Sequence, residues 1–315
     1  MAKVSVIIPT YNRAHLVSRA IKSVLNQNFQ DFEIIVVDDG STDNTEEVIK
    51  SFKDKRIRYI RHEINKGGNA ARNTGLKNSR GEYIAFLDSD DEWLPEKLER
   101  QLEIFEKSQD EKLGFVYCGV IFINKKENKE LRFLPKVKGY VYKNMLADNI
   151  TFGGSDNLIK KEVFNICGFF DECEELKKRG AQEYEMWIRI AQKFNFTFVK
   201  EYLVKYYTDP IDKITTIATL QDKARAREYI VNKFIEEYKK IPKILSDKLR
   251  RMGTLYCLGG NIKKGRVLFL KSIRYNFFNI VSYFCLLISL FGASFYNEIF
   301  SLKIVINIKP FKQKG

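Results

Sequence analysis

Between residues 4 and 107 the chain alternates short, nearly continuous apolar runs with stretches whose apolar residues recur every three or four positions. The runs at 4–9, 32–37, 57–60 and 83–87 are rich in β-branched and aromatic residues and too short for helices, so they predict buried strands. Between the first two, residues 14–25 place Leu16, Val17, Ala20, Ile21, Val24 and Leu25 on one helical face. Ser41, Asp43 and Asn44 open a second helix through residue 49, and residues 69–78 and 96–107 predict two more. Strand and helix in strict alternation imply βαβ units and a mostly parallel sheet. Right-handed crossovers then bring the carboxyl ends of the strands to one edge.

After residue 114 the pattern changes. Residues 115–123 read as a strand, 125–129 as a charged turn, and 140–142 as a further strand. Residues 149–155 form a loop whose Gly153 and Gly154 let backbone approach a ligand. Helices are predicted over 161–166 and 183–194, the second with Met186, Trp187, Ile190 and Ala191 on one face, and a strand over 196–207. From residue 221 the chain reads as helical, with a helix pair over 255–272 about Gly259-Gly260. The nineteen positions 277–295 are strongly apolar, interrupted only by Asn279, Ser282, Ser289 and Ser294. That stretch leaves three readings open: a helix lying in a membrane interface, a buried helix or homodimer face, and a membrane span. The organisation predicted is 1–113, 114–220 and a helical extension over 221–315.

Composition adds little to the fold and more to the partner. The chain has 315 residues, 44% hydrophobic and 30% charged, as globular proteins do. Its net charge is +14, which calls for an anionic partner. From residue 241 onward thirteen lysines and arginines, Lys303, Lys309, Lys312 and Lys314 among them, face two acids, a net +11. Because this excess accompanies the apolar stretch, it points to an anionic membrane surface and not to nucleic acid. Five cysteines, an odd number without C-x-x-C spacing, argue against a zinc site or disulfide framework and fit a reducing cytoplasm. The apolar run at 4–8 is too short for the core of a signal peptide.

Four polar clusters fall at the predicted strand ends: Thr10-Tyr11, Asp38-Asp39, the Gly67 loop with Arg72, and Asp88-Ser89-Asp90-Asp91. Open α/β sheets bind ligands at that edge. Asp88 and Asp90, placed alternately, can present two carboxylates to one hard cation, Mn²⁺ or Mg²⁺, which keeps part of its shell for substrate phosphates. The plainer alternative is a solvated acidic loop before the helix from Pro95, with Asp91 or Glu92 favoured by the helix dipole. A dinucleotide fold would need G-x-G-x-x-G where PTYNR stands, and no P-loop is present.

Six ordered blocks resemble the family 2 glycosyltransferases: VSVIIPTYNR, EIIVVDDGSTDNT, NKGGNAARNTGLKNSRGEYIAFLDSDD, the Gly153–Ser155 loop, GFFDE at 168–172 and QEYEMWIR at 182–189. The resemblance covers residues 4–207. It implies an α/β fold of the GT-A type, Rossmann-like with a mostly parallel sheet and helices on both faces, carrying the helical extension. It implies an inverting transfer from a nucleotide-diphosphate sugar, with a UDP-sugar favoured, to a glycan or lipid-linked acceptor; the basic tail and the apolar stretch 277–295 place that work at the cytoplasmic face of a membrane. Pro9, Thr10 and Tyr11 would line the base pocket, Asp39 with Asp38 would bond the base, and Arg72, Asp88 and Ser89 would reach the nucleotide. Asp90, with Asp88, would hold the metal. The family usually carries Glu then Asp before a Trp-containing helix; Gln182-Glu183 stands there, so Glu183 is the implied general base, one methylene longer than usual. Glu185 is either a neighbouring acid of the site or the i,i+4 partner of Arg189. The loops 151–156 and 174–181 would shape donor and acceptor choice. The alternative function is a sugar-nucleotide-binding or scaffolding homologue without turnover.

Overall fold

The computed structural model describes residues 2–177, 181–208 and 219–301. Lys303, Lys309, Lys312 and Lys314 lie outside the described residues, as do 178–180 of the 174–181 loop. The described residues fall into two compact units. One lies within Met1–Met145, Asn149–Glu172 and Gln182–Lys213, the other within Leu146–Asp148, Cys173–Ala181 and Ile214–Gly315.

The first unit is built on one mixed sheet. Strands β1 (Val4–Thr10), β2 (Phe32–Asp38), β3 (Ile57–Arg61) and β4 (Tyr83–Phe86) pair in parallel in the order β3-β2-β1-β4. Residues alternate between the two faces of the sheet, as the period of a strand requires. Ile34 and Val36 join Val17, Ala20, Ile21 and Val24 of α1 (Ala14–Leu25), while Ile35 and Val37 meet Ala71 of α3 (Gly68–Asn78). Both faces of β1, β2 and β4 are thus covered, which is why these strands read as continuous apolar runs, while β3 at the edge is only half-buried. Asp43, expected to open α2 (Thr45–Lys50), serves two helices. It accepts from the Thr45 N–H at 3.1 Å and, through its other oxygen, from the Ala14 N–H at 3.1 Å.

Beyond β4 the sheet turns largely antiparallel. β8 (Asn157–Lys160) pairs with β4 and with β6 (Leu113–Asn124); β9 (Asn195–Tyr207) runs parallel to β6; β5 (Asp91–Trp93) and β7 (Lys129–Phe133) add antiparallel edges. α4 (Lys97–Lys107), α6 (Lys161–Cys167) and α7 (Gln182–Lys193) complete the unit. Three expectations change here. The strand at 140–142 is instead the entry to α5 (Tyr142–Ala147), whose Tyr142, Met145 and Leu146, with Val141 just before it, are buried at helical spacing. The charged turn after 125 continues into β7, an edge strand exposed at every residue. Asp91 and Glu92 are not first-turn charges of α4 but lie in β5, paired with Tyr206 and Lys205.

The second unit holds α8 (Leu220–Lys233), α9 (Ile235–Lys239), α10 (Pro242–Leu258), α11 (Ile262–Tyr275), α12 (Ile280–Ser289) and α13 (Ala293–Ser301). Thr219 and Asp222 form a reciprocal capping box at the start of α8. The apolar stretch 277–295 is broken at Gly292, whose φ of 92° is left-handed. Among the described residues no helix is long and apolar enough to cross a membrane.

The packing of α7 on the sheet rests on Phe115, fully buried, stacked on Phe196 at 4.2 Å and edge-on to Trp187 at 5.0 Å. Phe115→Ala should lower stability by about 3–5 kcal/mol in urea unfolding, because the cavity lies between two elements that cannot both collapse into it.

Candidate functional site

The carboxyl ends of β1 and β2 are joined in register, Thr10 opposite Asp38, with the Asp39 N–H donating to the Thr10 carbonyl at 2.8 Å. Pro9 and Thr10 are buried and Tyr11 is exposed. The Thr10 hydroxyl is buried without a hydrogen-bond partner among the described residues, a polar group that a ligand would satisfy. Asp38 is fully buried and holds its own turn, accepting from the Ser41 N–H at 2.8 Å and the Tyr59 hydroxyl at 2.7 Å. Asp39 accepts the Lys66 and Gly67 N–H groups at 2.9 and 2.7 Å and meets His62 Nδ1 at 2.7 Å. Its carboxylate therefore fixes the glycine loop that opens α3.

Arg72, on α3, gathers the other predicted residues. It is 4% exposed, yet its Nη2 lies 2.8 Å from Asp88 Oδ1 and 2.6 Å from Glu183 Oε1, and its Nη1 donates to Gln182 Oε1 at 3.2 Å. Burial disfavours the guanidinium charge, but the Glu183 and Asp88 carboxylates outweigh it and raise the Arg72 pKa. Gln182 supplies the acceptor oxygen that an acid would supply there. A Cβ on Gly154 would lie 3.7 Å from Glu183 Cγ, so the glutamate lies against the glycine loop. Glu185 has the other of its two expected roles: fully buried, it binds Arg189 with both oxygens at 2.7 and 2.9 Å.

The Asp88–Asp91 loop is held from beneath by a residue that sequence reasoning did not single out. Ser155 donates from Oγ to Asp91 Oδ2 at 2.6 Å and accepts from the Asp88 N–H at 3.0 Å. Its carbonyl accepts from Trp93 Nε1 at 2.7 Å, and its N–H donates to the Tyr206 hydroxyl at 3.1 Å. Arg19, likewise unforeseen, donates to the Asp90 carbonyl. Ser89 is buried; Asp88 and Asp90 are half-buried. Among the described residues no three side chains cluster as a preformed metal cage. Two half-buried carboxylates of hard oxygen are nonetheless what Mg²⁺ and Mn²⁺ use when substrate phosphates complete the shell, so the donor set fits such an ion.

Below Ser155 lies a charged layer. Lys97, fully buried over the Trp93 ring at 3.9 Å, donates to Gln101 Oε1 at 2.8 Å and the Asn157 carbonyl at 3.2 Å. Burial pulls its pKa down to about 8. Asp156, also fully buried, accepts from the Phe152 N–H at 3.0 Å, and burial pushes its pKa up to about 7.

With this geometry in view, comparison with known proteins is informative. Residues 5–166 match the family model described as glycosyl transferase family 2. A glycosyltransferase of Methanocaldococcus jannaschii is 36% identical over 214 residues, 64% of this chain and 70% of that protein. The Escherichia coli UDP-Glc:alpha-D-GlcNAc-diphosphoundecaprenol beta-1,3-glucosyltransferase WfgD is 34% identical over 196 residues, 62% of this chain and 72% of that one. The chain also matches longer Rickettsia glycosyltransferases, of which it spans 16% and 30%. Among solved structures, S. aureus TarS 1-349 in complex with UDP-GlcNAc superposes with a TM-score of 0.71 at 17% identity, over 96% of this chain and 92% of that one. At that identity the likeness concerns the fold.

Two outcomes test the supporting layer. Ser155→Ala leaves buried Asp91 without its hydroxyl donor and should cost about 1–3 kcal/mol in urea unfolding. The second concerns pH. Between the ordinary aspartate pKa of about 4 and about 7, folded Asp156 keeps a proton that the unfolded chain has lost, so stability falls as pH rises through that window. Between about 8 and the ordinary lysine value of about 10.4, the unfolded chain holds a proton that folded Lys97 lacks, so stability rises with pH. Urea midpoints across both windows should flatten in the first for Asp156→Asn and in the second for Lys97→Met.

Proposed function

The chain belongs to glycosyl transferase family 2 and has the GT-A fold, and from that premise we propose that it is an inverting enzyme moving a sugar from a UDP-sugar to a lipid-linked or glycan acceptor. The observation that carries the reading is the Arg72 bridge, which brings Asp88 at the end of β4 and Glu183 at the start of α7 to one buried cation. The donor assignment is supported by the UDP-GlcNAc held by TarS and the UDP-Glc in the name of WfgD; the acceptor assignment is supported by the diphosphoundecaprenol in that name. Residues 1–113 would bind the donor, 114–220 the acceptor, and 221–315 would form the extension. The place of work would be the cytoplasmic face of a membrane, where lipid-linked head groups are presented.

Pro9, Thr10 and Tyr11 would line the base pocket, with Asp39 and Asp38 beside it. The buried Thr10 hydroxyl is suited to a polar edge of the base. Arg72, Asp88 and Ser89 would position the nucleotide. Asp90 and Asp88 would hold a divalent cation, Mn²⁺ or Mg²⁺, which when bound supplies positive charge to the departing diphosphate. Glu183 would take the proton from the acceptor hydroxyl as its oxygen bonds to the anomeric carbon and the carbon–diphosphate bond breaks. Arg72 already holds Oε1, which leaves Oε2 to receive that proton. One base and one displacement invert the configuration. The extra methylene of Glu183 lies beside Gly154, which has no side chain of its own to crowd it.

Calorimetric titration of UDP and of GDP, with and without Mn²⁺, tests this. UDP should bind with a requirement for Mn²⁺ that Asp90→Ala abolishes. Glu183→Gln should bind UDP like the wild type while transfer to an added lipid-diphosphate acceptor falls by about 10²–10⁴-fold. UDP binding without transfer in the wild type would favour the non-catalytic homologue, and binding of neither nucleotide would overturn the donor.

A further inference from the structure

Around α12 the chain shows water an apolar face while several of its hydroxyls turn inward. The face of α12 turned inward carries Ser282, Cys285 and Ser289, each fully buried, with Ile288. Its outward face and both flanking turns carry Phe277, Phe278, Ile280, Leu287, Leu290 and Phe291, which are 57–85% exposed. The inner contacts combine a small apolar cluster, Cys257, Phe269, Cys285, Ile288 and Tyr296, with hydroxyls. Ser272 donates to the Ser246 carbonyl at 2.6 Å and meets Ser282 Oγ at 2.8 Å; Asn279 donates to Ser246 Oγ at 2.9 Å; Arg266 donates to the Ser289 carbonyl at 2.6 Å. α10 and α11 approach through glycines: a Cβ on Gly265 would run into Cys257 Sγ, and one on Gly253 would lie 2.6 Å from Phe269. A helix in water hides its apolar stripe and shows its polar face. Small residues and hydroxyls between helices, with apolar side chains outside, are how helices meet in lipid.

We propose that the 276–291 turn and helix α12, flanked by α11, insert as an in-plane surface into an anionic lipid bilayer. The proposal rests on the lipid-linked acceptor reading for its purpose, but the binding is independent of turnover. Two observations choose the occupant. The exposed face of α11 interleaves Lys263, Lys271 and Arg274 with Val267 and Leu270, while Glu298 is the one acid between 259 and 301. That pairing of cations with apolar side chains complements anionic head groups above acyl chains. A second copy in an isologous dimer would instead set the same cations around a shared patch. The length of α12, ten residues, is about 15 Å, half of a hydrocarbon core of about 30 Å, and Gly292 turns the chain before α13. The element is therefore too short to span, and its exposed phenylalanines exclude internal burial.

Flotation of the full chain with phosphatidylcholine vesicles, with or without phosphatidylglycerol, tests the proposal. The protein should float with phosphatidylglycerol vesicles at low salt and detach at high salt. Phe277→Ser with Phe278→Ser, and separately Lys271→Glu with Arg274→Glu, should each weaken binding about tenfold or more. UDP binding should remain unchanged in both, which shows that the variants are folded and separates this test from that of the donor. Failure to float, or equal binding to neutral vesicles at all salt concentrations, overturns the proposal. So does a wild-type dimer that ignores vesicles and dissociates in the phenylalanine variant, which would make a second copy the occupant.

Discussion

A buried guanidinium cannot be left alone, and the first unit is arranged around that demand. Taking the Arg72 charge out of water is costly unless anionic partners and hydrogen-bond acceptors surround it. Asp88, Glu183 and Gln182 do so from two distant parts of the chain. Burying one cation therefore fixes where the end of β4 stands against the start of α7. The rest of α3 is stitched to keep the cation in place. Asn69 donates to the Asp171 carbonyl at 2.7 Å, and Asn73 exchanges two hydrogen bonds of 2.9 Å with the Phe170 backbone while donating to Glu172 at 2.6 Å. A helix that carried apolar residues at these positions would pack, but it would not be held at one height.

The layer beneath obeys the same logic at a cost. Lys97, Gln101, Asp156, Asn157, Ser155 and Asp91 are buried polar groups where an apolar core would be more stable. What they provide is register. Ser155 ties the loop carrying Asp88 to the loop carrying Gly153 and Gly154 by side-chain and backbone bonds at once. The two loops are thus tied to one another at Ser155. The shifted pKa values of Asp156 and Lys97 follow from burial first, and measure how far the layer is removed from water.

The residues differ in how plainly the sequence announces them, and the reason is physical in each case. β1, β2 and β4 are covered on both faces, so burial forces continuous apolar runs that stand out. β5, β7 and β8 are short or lie at an edge, and the strand state of Asp91-Glu92-Trp93 is decided by its partner β9, not by its own composition. Residues 140–142 look like a strand because tyrosine and valine favour one, but Val141, Met145 and the neighbouring Tyr142 and Leu146 sit at helical spacing and burial along α5 overrides local preference. Arg72, Asp88 and Glu183, which the structure brings together, are candidates that motifs of fixed order single out. The Ser155–Asp91 bond, 64 residues apart, leaves no periodic trace and needs the folded chain to be seen. The pair of Glu185 with Arg189 is one of the two readings that the sequence offers, because an i,i+4 pair is a local matter.

The apolar stretch shows what hydrophobicity alone cannot decide. When nearly every position is apolar, no stripe separates inside from outside, and the three readings of 277–295 follow equally from it. The information lies in the few polar positions. Ser282, Cys285 and Ser289 recur at i, i+3 and i+7, the period of one helical face. In an aqueous helix such a face points to solvent; here it points to α10 and α11, where Ser246 and Ser272 receive it. Hydroxyls turned inward gain only modest net energy against water, so packing of this kind is favoured where the outer face has a better solvent than water. If α12 lies in lipid as proposed, its inward serines account for the packing as much as its outward phenylalanines do.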